Sequence, residues 1–162
     1  MIRKRYKNMF YGIILCSLIL FVLTSCSSKS STDDNLSVKD IDDKIKESIN
    51  LSNMELGDSD RLEKLYDIDN DDLEEFILYT PKTNIQANEI AIFKVKDSKE
   101  IDDITEKITE RIEVQSTNFK DYLPEEYYLI ENHVLKAKGN FILYAISEEV
   151  ETIEEIFDES IN

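Results

Sequence analysis

After residue 26 this 162-residue chain contains no cysteine, and it has no tryptophan at any position. Its two cysteines, Cys16 and Cys26, lie within and at the end of an apolar N-terminal run. A domain built from the remainder therefore has neither a disulfide nor a thiol nucleophile, whatever the redox state around it. Histidine occurs once, at His133, so any Ser-His-acid triad or imidazole metal site must pass through that residue. It stands at the start of a predicted strand with no motif around it and reads as a structural or exposed histidine. Beyond Gly12 the only glycines are Gly57 and Gly139. Neither a GxGxxG turn nor a P-loop can be assembled from them. No acidic residue precedes Asp33.

The residues before that point have a definite layout. Arg3, Lys4, Arg5 and Lys7 come first, and a mostly apolar stretch from Met9 to Leu23 follows. A basic start, an apolar core and small residues at the end make a secretory signal, with the basic cluster held on the cytoplasmic side. The run of 15 residues is short of the roughly 20 that a spanning helix needs. Leu23, Thr24, Ser25 and Cys26 resemble the lipobox of bacterial lipoproteins. That resemblance implies a diacylglyceryl group on the Cys26 thiol and cleavage just before it. Residues 1–25 would then be a lipoprotein signal peptide. Acyl chains bury methylenes at about 0.8 kcal/mol each, so more than one chain gives stable anchoring.

The expected location is the outer face of the cytoplasmic membrane, with the lipid on Cys26 as the membrane contact. Residues 26–37, the lipidated cysteine and SSKSSTDDNLS, read as a flexible Ser-rich tether. Loss of the four leading basic residues takes the formal net charge from −16 to −20. A chain this acidic repels phosphate backbones, which excludes nucleic acid as a partner, and it repels anionic headgroups. Acidity also confers solubility with no partner involved.

Residues 38–162 are expected to form a single α+β domain. Ser37, with Asp40 three residues on, can cap a helix whose Val38, Ile41, Ile45 and Ile49 share a face. A short helix over 59–66 points Leu62, Leu65 and Tyr66 inward. Strands are predicted over 73–80 and 87–95. Both have apolar residues on each face, which places them centrally in a sheet. Asp97 or Ser98 caps a long helix with a stripe of Ile101, Ile104, Ile108, Ile112 and Phe119, in which Gln115 fills a gap. Arg111 lies off that stripe, and Asp103 and Lys107 have favourable pair spacing. Pro124 opens a further short helix. Strands over 133–138 and 141–147 are joined at Gly139-Asn140. Ser147 is expected to cap a last helix. The predicted fold is a mainly antiparallel four-stranded sheet packed against the long amphipathic helix and shorter flanking helices, with the helices over one face.

The strings NEIAIFKVKD (Asn88 to Asp97), FKDYLPEEYYLIEN (Phe119 to Asn132) and KGNFILYAIS (Lys138 to Ser147) resemble a family of clostridial-type Gram-positive lipoproteins. It is known as domain of unknown function 4358. Glu89-Ile90-Ala91 and Tyr122-Leu123-Pro124 carry most of the likeness, which spans Val38 to Phe157. The resemblance implies export, lipidation and a Gram-positive host. It carries over no catalytic or ligand-binding residue.

Three groups invite a chemical reading. Asp67, Asp69 and Asp71 have the spacing that starts an EF-hand loop, but Asp72 stands where the glycine belongs and Leu78 where the bidentate glutamate belongs. They are weak calcium candidates within a solvated turn. Tyr122, Tyr127 and Tyr128 around Pro124 make either an aromatic platform for a glycan or peptide or, as expected here, the inward face of a connecting helix. Paired carboxylates of the glycosidase type cannot be singled out, because their separation is set by the fold. No catalytic residue and no cofactor is implied. The expected function is non-enzymatic binding of an envelope protein or cell-wall component. The alternative is a carboxylate-based extracytoplasmic hydrolase or a weak calcium-binding protein.

Overall fold

The computed structural model describes residues 36–161. Its first helix, α1 (Val38–Ser48), begins with a complete capping box: Asp40 N–H donates to the Ser37 hydroxyl, and the Asp40 carboxylate accepts from Ser37 N–H. Strand β1 (Met54–Leu56) and helix α2 (Ser59–Tyr66) follow. Then come β2 (Leu73–Pro81) and β3 (Glu89–Val95). The long helix α3 (Ile101–Phe119) is entered through a single 3-10 turn capped by Asp97. Helix α4 (Pro124–Glu131), β4 (Val134–Lys138), β5 (Phe141–Ile146) and α5 (Val150–Ser160) complete the described chain.

The described strands form one antiparallel sheet in the order β1-β2-β3-β5-β4. The sheet therefore has five strands, not four. The additional strand, β1, is three residues long, and its pairing with Tyr79 to Pro81 of β2 is a tertiary contact with no periodicity of its own. As their two-sided apolar pattern requires, β2 and β3 are interior strands.

That same pattern overturns the expectation of helices on one face only. On one side, Leu78, Ala91, Phe93, Val95, Ile142 and Tyr144 pack with Leu62 and Tyr66 of α2, Ile104, Ile108 and Phe119 of α3 and Ile130 of α4. On the other side, Tyr79, Ile90, Ile92, Phe141 and Leu143 pack with Val38, Ile41 and Ile45 of α1 and Ile153 and Phe157 of α5. Alternate residues of a strand point to opposite faces, so an interior strand with both sets apolar needs a helical layer on each side.

Local departures have local causes. Ser147 does not cap α5. Its hydroxyl accepts from Glu149 N–H at 3.1 Å and so fixes the turn ahead of the helix. Lys107 is not paired with Asp103: its ammonium donates to the Asp67 carbonyl at 2.6 Å, one of the carbonyls that helix α2 leaves open at its end. At the β4–β5 hairpin Gly139 takes a φ of 62°, and Lys138 pairs directly with Phe141 across it. That left-handed residue is the conformation a two-residue loop with glycine first demands.

The position of each strand sets its sensitivity to truncation. Phe93→Ala, at a fully buried central site, is expected to cost about 3–5 kcal/mol. Leu56→Ala on the edge strand, where Leu56 is 65% exposed, is expected to stay within about 0.5 kcal/mol of wild type. Urea unfolding of the two variants checks both values.

Candidate functional site

The alternation that sends Ala91, Phe93 and Val95 inward also sends Glu89 inward, and its side chain is fully buried. Four donors meet its carboxylate. Arg111 on α3 grips both oxygens, with Nε 3.1 Å from Oε1 and Nη2 2.7 Å from Oε2. Gln115, one turn further along α3, donates to Oε2 at 3.1 Å. The Tyr66 hydroxyl of α2 donates to Oε1. Gln115 then accepts a 2.6 Å hydrogen bond from the Tyr144 hydroxyl of β5. Each Glu89 oxygen thus accepts two hydrogen bonds, which uses all four of its acceptor positions.

Burial pushes the Tyr66 hydroxyl well above its ordinary pKa, and the Glu89 charge pushes it the same way. Tyr144 shifts upward for the same two reasons. Burial lowers the Arg111 pKa, but its hydrogen bonds and charge attraction to Glu89 more than reverse this and leave it raised. Chemically the cluster is a closed, satisfied network. It holds α2 and α3 to the sheet.

The opposite face holds a smaller counterpart. Asp42 of α1 is buried and accepts from the Tyr79 hydroxyl at 2.9 Å and from Lys46. At the other end of the sheet Lys94 lies 5.6 Å from the centre of the Phe141 ring, with its ammonium 2.8 Å from Glu74. Among the described residues no buried side-chain polar atom lacks a partner.

The predicted sites fall out as follows. Leu23, Thr24, Ser25 and Cys26 lie outside the described residues. Asp67 ends α2 in a left-handed conformation, with φ 55°, and its carbonyl is taken by Lys107. Asp69 caps the next turn by accepting from Asp71 N–H at 2.8 Å, and the Asp71 carbonyl is taken by Lys96. Two ammonium groups thus occupy carbonyls of the loop in which calcium would sit. Among the described residues no group of three or more His, Cys, Asp or Glu side chains is placed to hold a metal ion.

His133 donates from Nδ1 to the Ile130 carbonyl at 2.7 Å and meets Tyr144 edge-on, so its ring closes the end of α4. The tyrosines around Pro124 divide. Tyr127 packs against the core, whereas Tyr122 and Tyr128 are 81% and 64% exposed. Inward packing, the expectation for this helix, holds for one of the three. Beside Tyr128 an open groove of about 510 Å³ is lined by Pro124, Glu125, Glu126, Leu129 and, from the turn after β5, Glu148.

The family model described as "Domain of unknown function (DUF4358)" matches residues 47–147. The chain belongs to this family. The matched span is narrower than Val38 to Phe157. It holds all five described strands and the three helices on the Glu89 face of the DUF4358 sheet, while α5 and all but the last two residues of α1 fall outside it. No curated protein and no solved structure matches the chain.

Sequence reasoning missed the Glu89 cluster, although one signal was present. Glu89 interrupts the inward face of a strand, and Gln115 interrupts the apolar stripe of a helix. Two polar gaps on facing elements are a pair waiting to be matched.

Arg111→Met leaves the Glu89 charge buried without its cation and should cost roughly 3–5 kcal/mol, whereas Glu89→Leu with Arg111→Met should cost less than the two single changes added together. Urea unfolding of the four proteins of this cycle measures the coupling, and additive losses would show that the two are independent. The tyrosines set the alkaline limit. Because Tyr66 and Tyr144 are raised in the fold, their contribution is complete below the unfolded tyrosine pKa of about 10 and is lost as pH climbs above it. Tyrosinate absorbance for these two should therefore appear only together with loss of near-ultraviolet circular dichroism.

Proposed function

We propose that this DUF4358 protein is an exported lipoprotein, cut before Cys26 and held by lipid on that residue at the outer face of the cytoplasmic membrane of a Gram-positive bacterium. Its domain, residues 38–162, is then a non-enzymatic module that binds an envelope protein or a cell-wall component. One observation carries the location: Leu23-Thr24-Ser25-Cys26 closes an apolar run that is preceded by four basic residues and no acidic one.

The chemistry of the domain supports binding over catalysis. Glu89 and Asp42, the buried carboxylates, are matched by internal donors, and Lys94 is matched by Glu74. The carboxylates without an internal donor lie at the surface, open to a cationic partner. The acid-lined groove beside α4 also favours one second reading, a carboxylate-based hydrolase. That reading predicts turnover of an envelope substrate that Glu148→Gln abolishes.

Mass spectrometry of the native protein extracted from membranes should find a chain that begins at a diacylglyceryl Cys26. Met1 still in place, or a bare thiol at residue 26, would overturn the anchoring. Crosslinking on intact membranes should recover a partner at fixed stoichiometry.

A further inference from the structure

The groove beside α4 names a partner chemistry, and the inference rests on the binding-module reading above. Pro124 fixes the first turn of α4. The register of the helix then turns Tyr127 into the core and leaves Tyr128 at the surface. Tyr128, Leu129 and the Pro124 ring give the groove an apolar wall. Among the described residues its ionisable rim consists of Glu125, Glu126 and Glu148, with neither lysine nor arginine. Glu126 is pinned, because its Oε2 accepts the Ala87 N–H at 2.7 Å. Glu125 and Glu148 are exposed and make no side-chain hydrogen bond to any other described residue.

We propose that this groove receives a lysine or arginine side chain presented by an extended segment of a partner protein. The aliphatic stem lies against Leu129 and the exposed Tyr128 ring, and the cationic head meets Glu125 and Glu148. Long basic side chains combine an apolar stem with a charged tip, and an aromatic face attracts the cation as well as covering the stem. The net charge of −16 adds long-range attraction for a cationic partner. A neutral glycan would stack on the tyrosine and donate hydroxyls to the carboxylates, but it would leave three like charges at one rim uncompensated.

A second groove supplies an internal control. On the outer side of α3, Glu110, Glu113, Val114, Thr117 and Asn118 line a groove of about 460 Å³ with two carboxylates and no aromatic ring.

The test titrates the full chain, purified in detergent, with three probes followed by calorimetry. They are a short peptide of alternating arginine and glycine, the same peptide with glutamine for arginine, and a neutral oligomer of N-acetylglucosamine. The arginine peptide should bind one-to-one and more weakly as salt rises, and the glutamine peptide should not bind. Tyr128→Ala and Glu148→Gln, both at exposed positions and so compatible with an intact fold, should each weaken binding roughly three- to tenfold, with Glu113→Gln unchanged.

Three results would overturn the proposal: no binding of the arginine peptide at millimolar concentration, equal loss in Glu113→Gln and Glu148→Gln, or preference for the oligosaccharide. A membrane partner recovered equally well by the Tyr128→Ala, Glu148→Gln double variant would also overturn the groove while leaving the binding module standing. Failure of the wild-type chain to recover any partner would count against the module itself.

Discussion

A carboxylate with no access to water stands at the first residue of the central strand, and the helices on its face are placed so as to answer it. Burying Glu89 without partners would cost several kcal/mol, far more than one apolar contact returns. The Arg111 fork, the Gln115 amide and the Tyr66 hydroxyl meet that demand together. Each comes from a helix whose rotation and register must therefore be correct to within a fraction of a turn. Hydrophobic stripes alone would let α2 and α3 slide over the sheet at small cost, because apolar contact has little directional preference. The network removes that freedom. Gln115 extends it to β5 through Tyr144, so one charge ties together two helices and two strands.

The other layer is clamped in a different way. Asp42 joins Tyr79 to α1, and the Glu75 carboxylate accepts the Val38 N–H at 2.8 Å, which places a negative charge at the open end of that helix. Edge strand β4 is bound to α5 by Lys136, which reaches Glu154 and Asp158, and by Lys138 on the Asp158 carbonyl. These are bonds between partly exposed groups, individually weak and screened by salt. The two faces therefore differ in degree: one is locked by a four-donor network on a single buried charge, the other by apolar packing around the buried Asp42–Tyr79 bond with polar stitches at its rim. The span that matches the DUF4358 family contains the first face and omits most of the helices of the second.

The sequence made this fold legible wherever the signal was local. Periodicity of 3.6 located α1, α2, α3 and α5, because burial on one face of a helix leaves that trace residue by residue, while β2 and β3 stood out as short runs apolar on both faces and β5 as the partner of β4 across Gly139-Asn140. The capping box at Ser37 and the turn at Gly139 were equally readable, since each depends on neighbours within three positions. What escaped was tertiary. Strand β1 is defined by its partner β2, not by its own three residues. Arg111 was set off the helical stripe, yet three residues after Ile108 and four before Gln115 it lies at the margin of the same buried face, so its spacing already pointed toward the sheet. The second helical layer was implied by the two-sided strands but was not drawn from them. At the candidate groove, helical spacing could not decide which of Tyr127 and Tyr128 faces in, because neighbours on a helix differ by 100° and either fits beside Pro124.

Inside the domain, carboxylates are matched one by one with donors. Outside, they outnumber the cations by a wide margin, 35 acidic residues against 19 basic in the whole chain. Uniform acidity would serve solubility alone. A groove that sets glutamates around an exposed tyrosine, at the end of a helix whose neighbouring tyrosine is spent on the core, concentrates that charge beside a surface able to hold an aliphatic stem. An acidic domain at a membrane also gains from distance, since like-charged headgroups repel it over roughly a Debye length of 8–10 Å. On the lipoprotein reading, the tether after Cys26 supplies that distance. On the same reading, the charge that would keep the domain off the bilayer would draw a basic partner toward the groove, so tether, surface charge and groove would act in one direction.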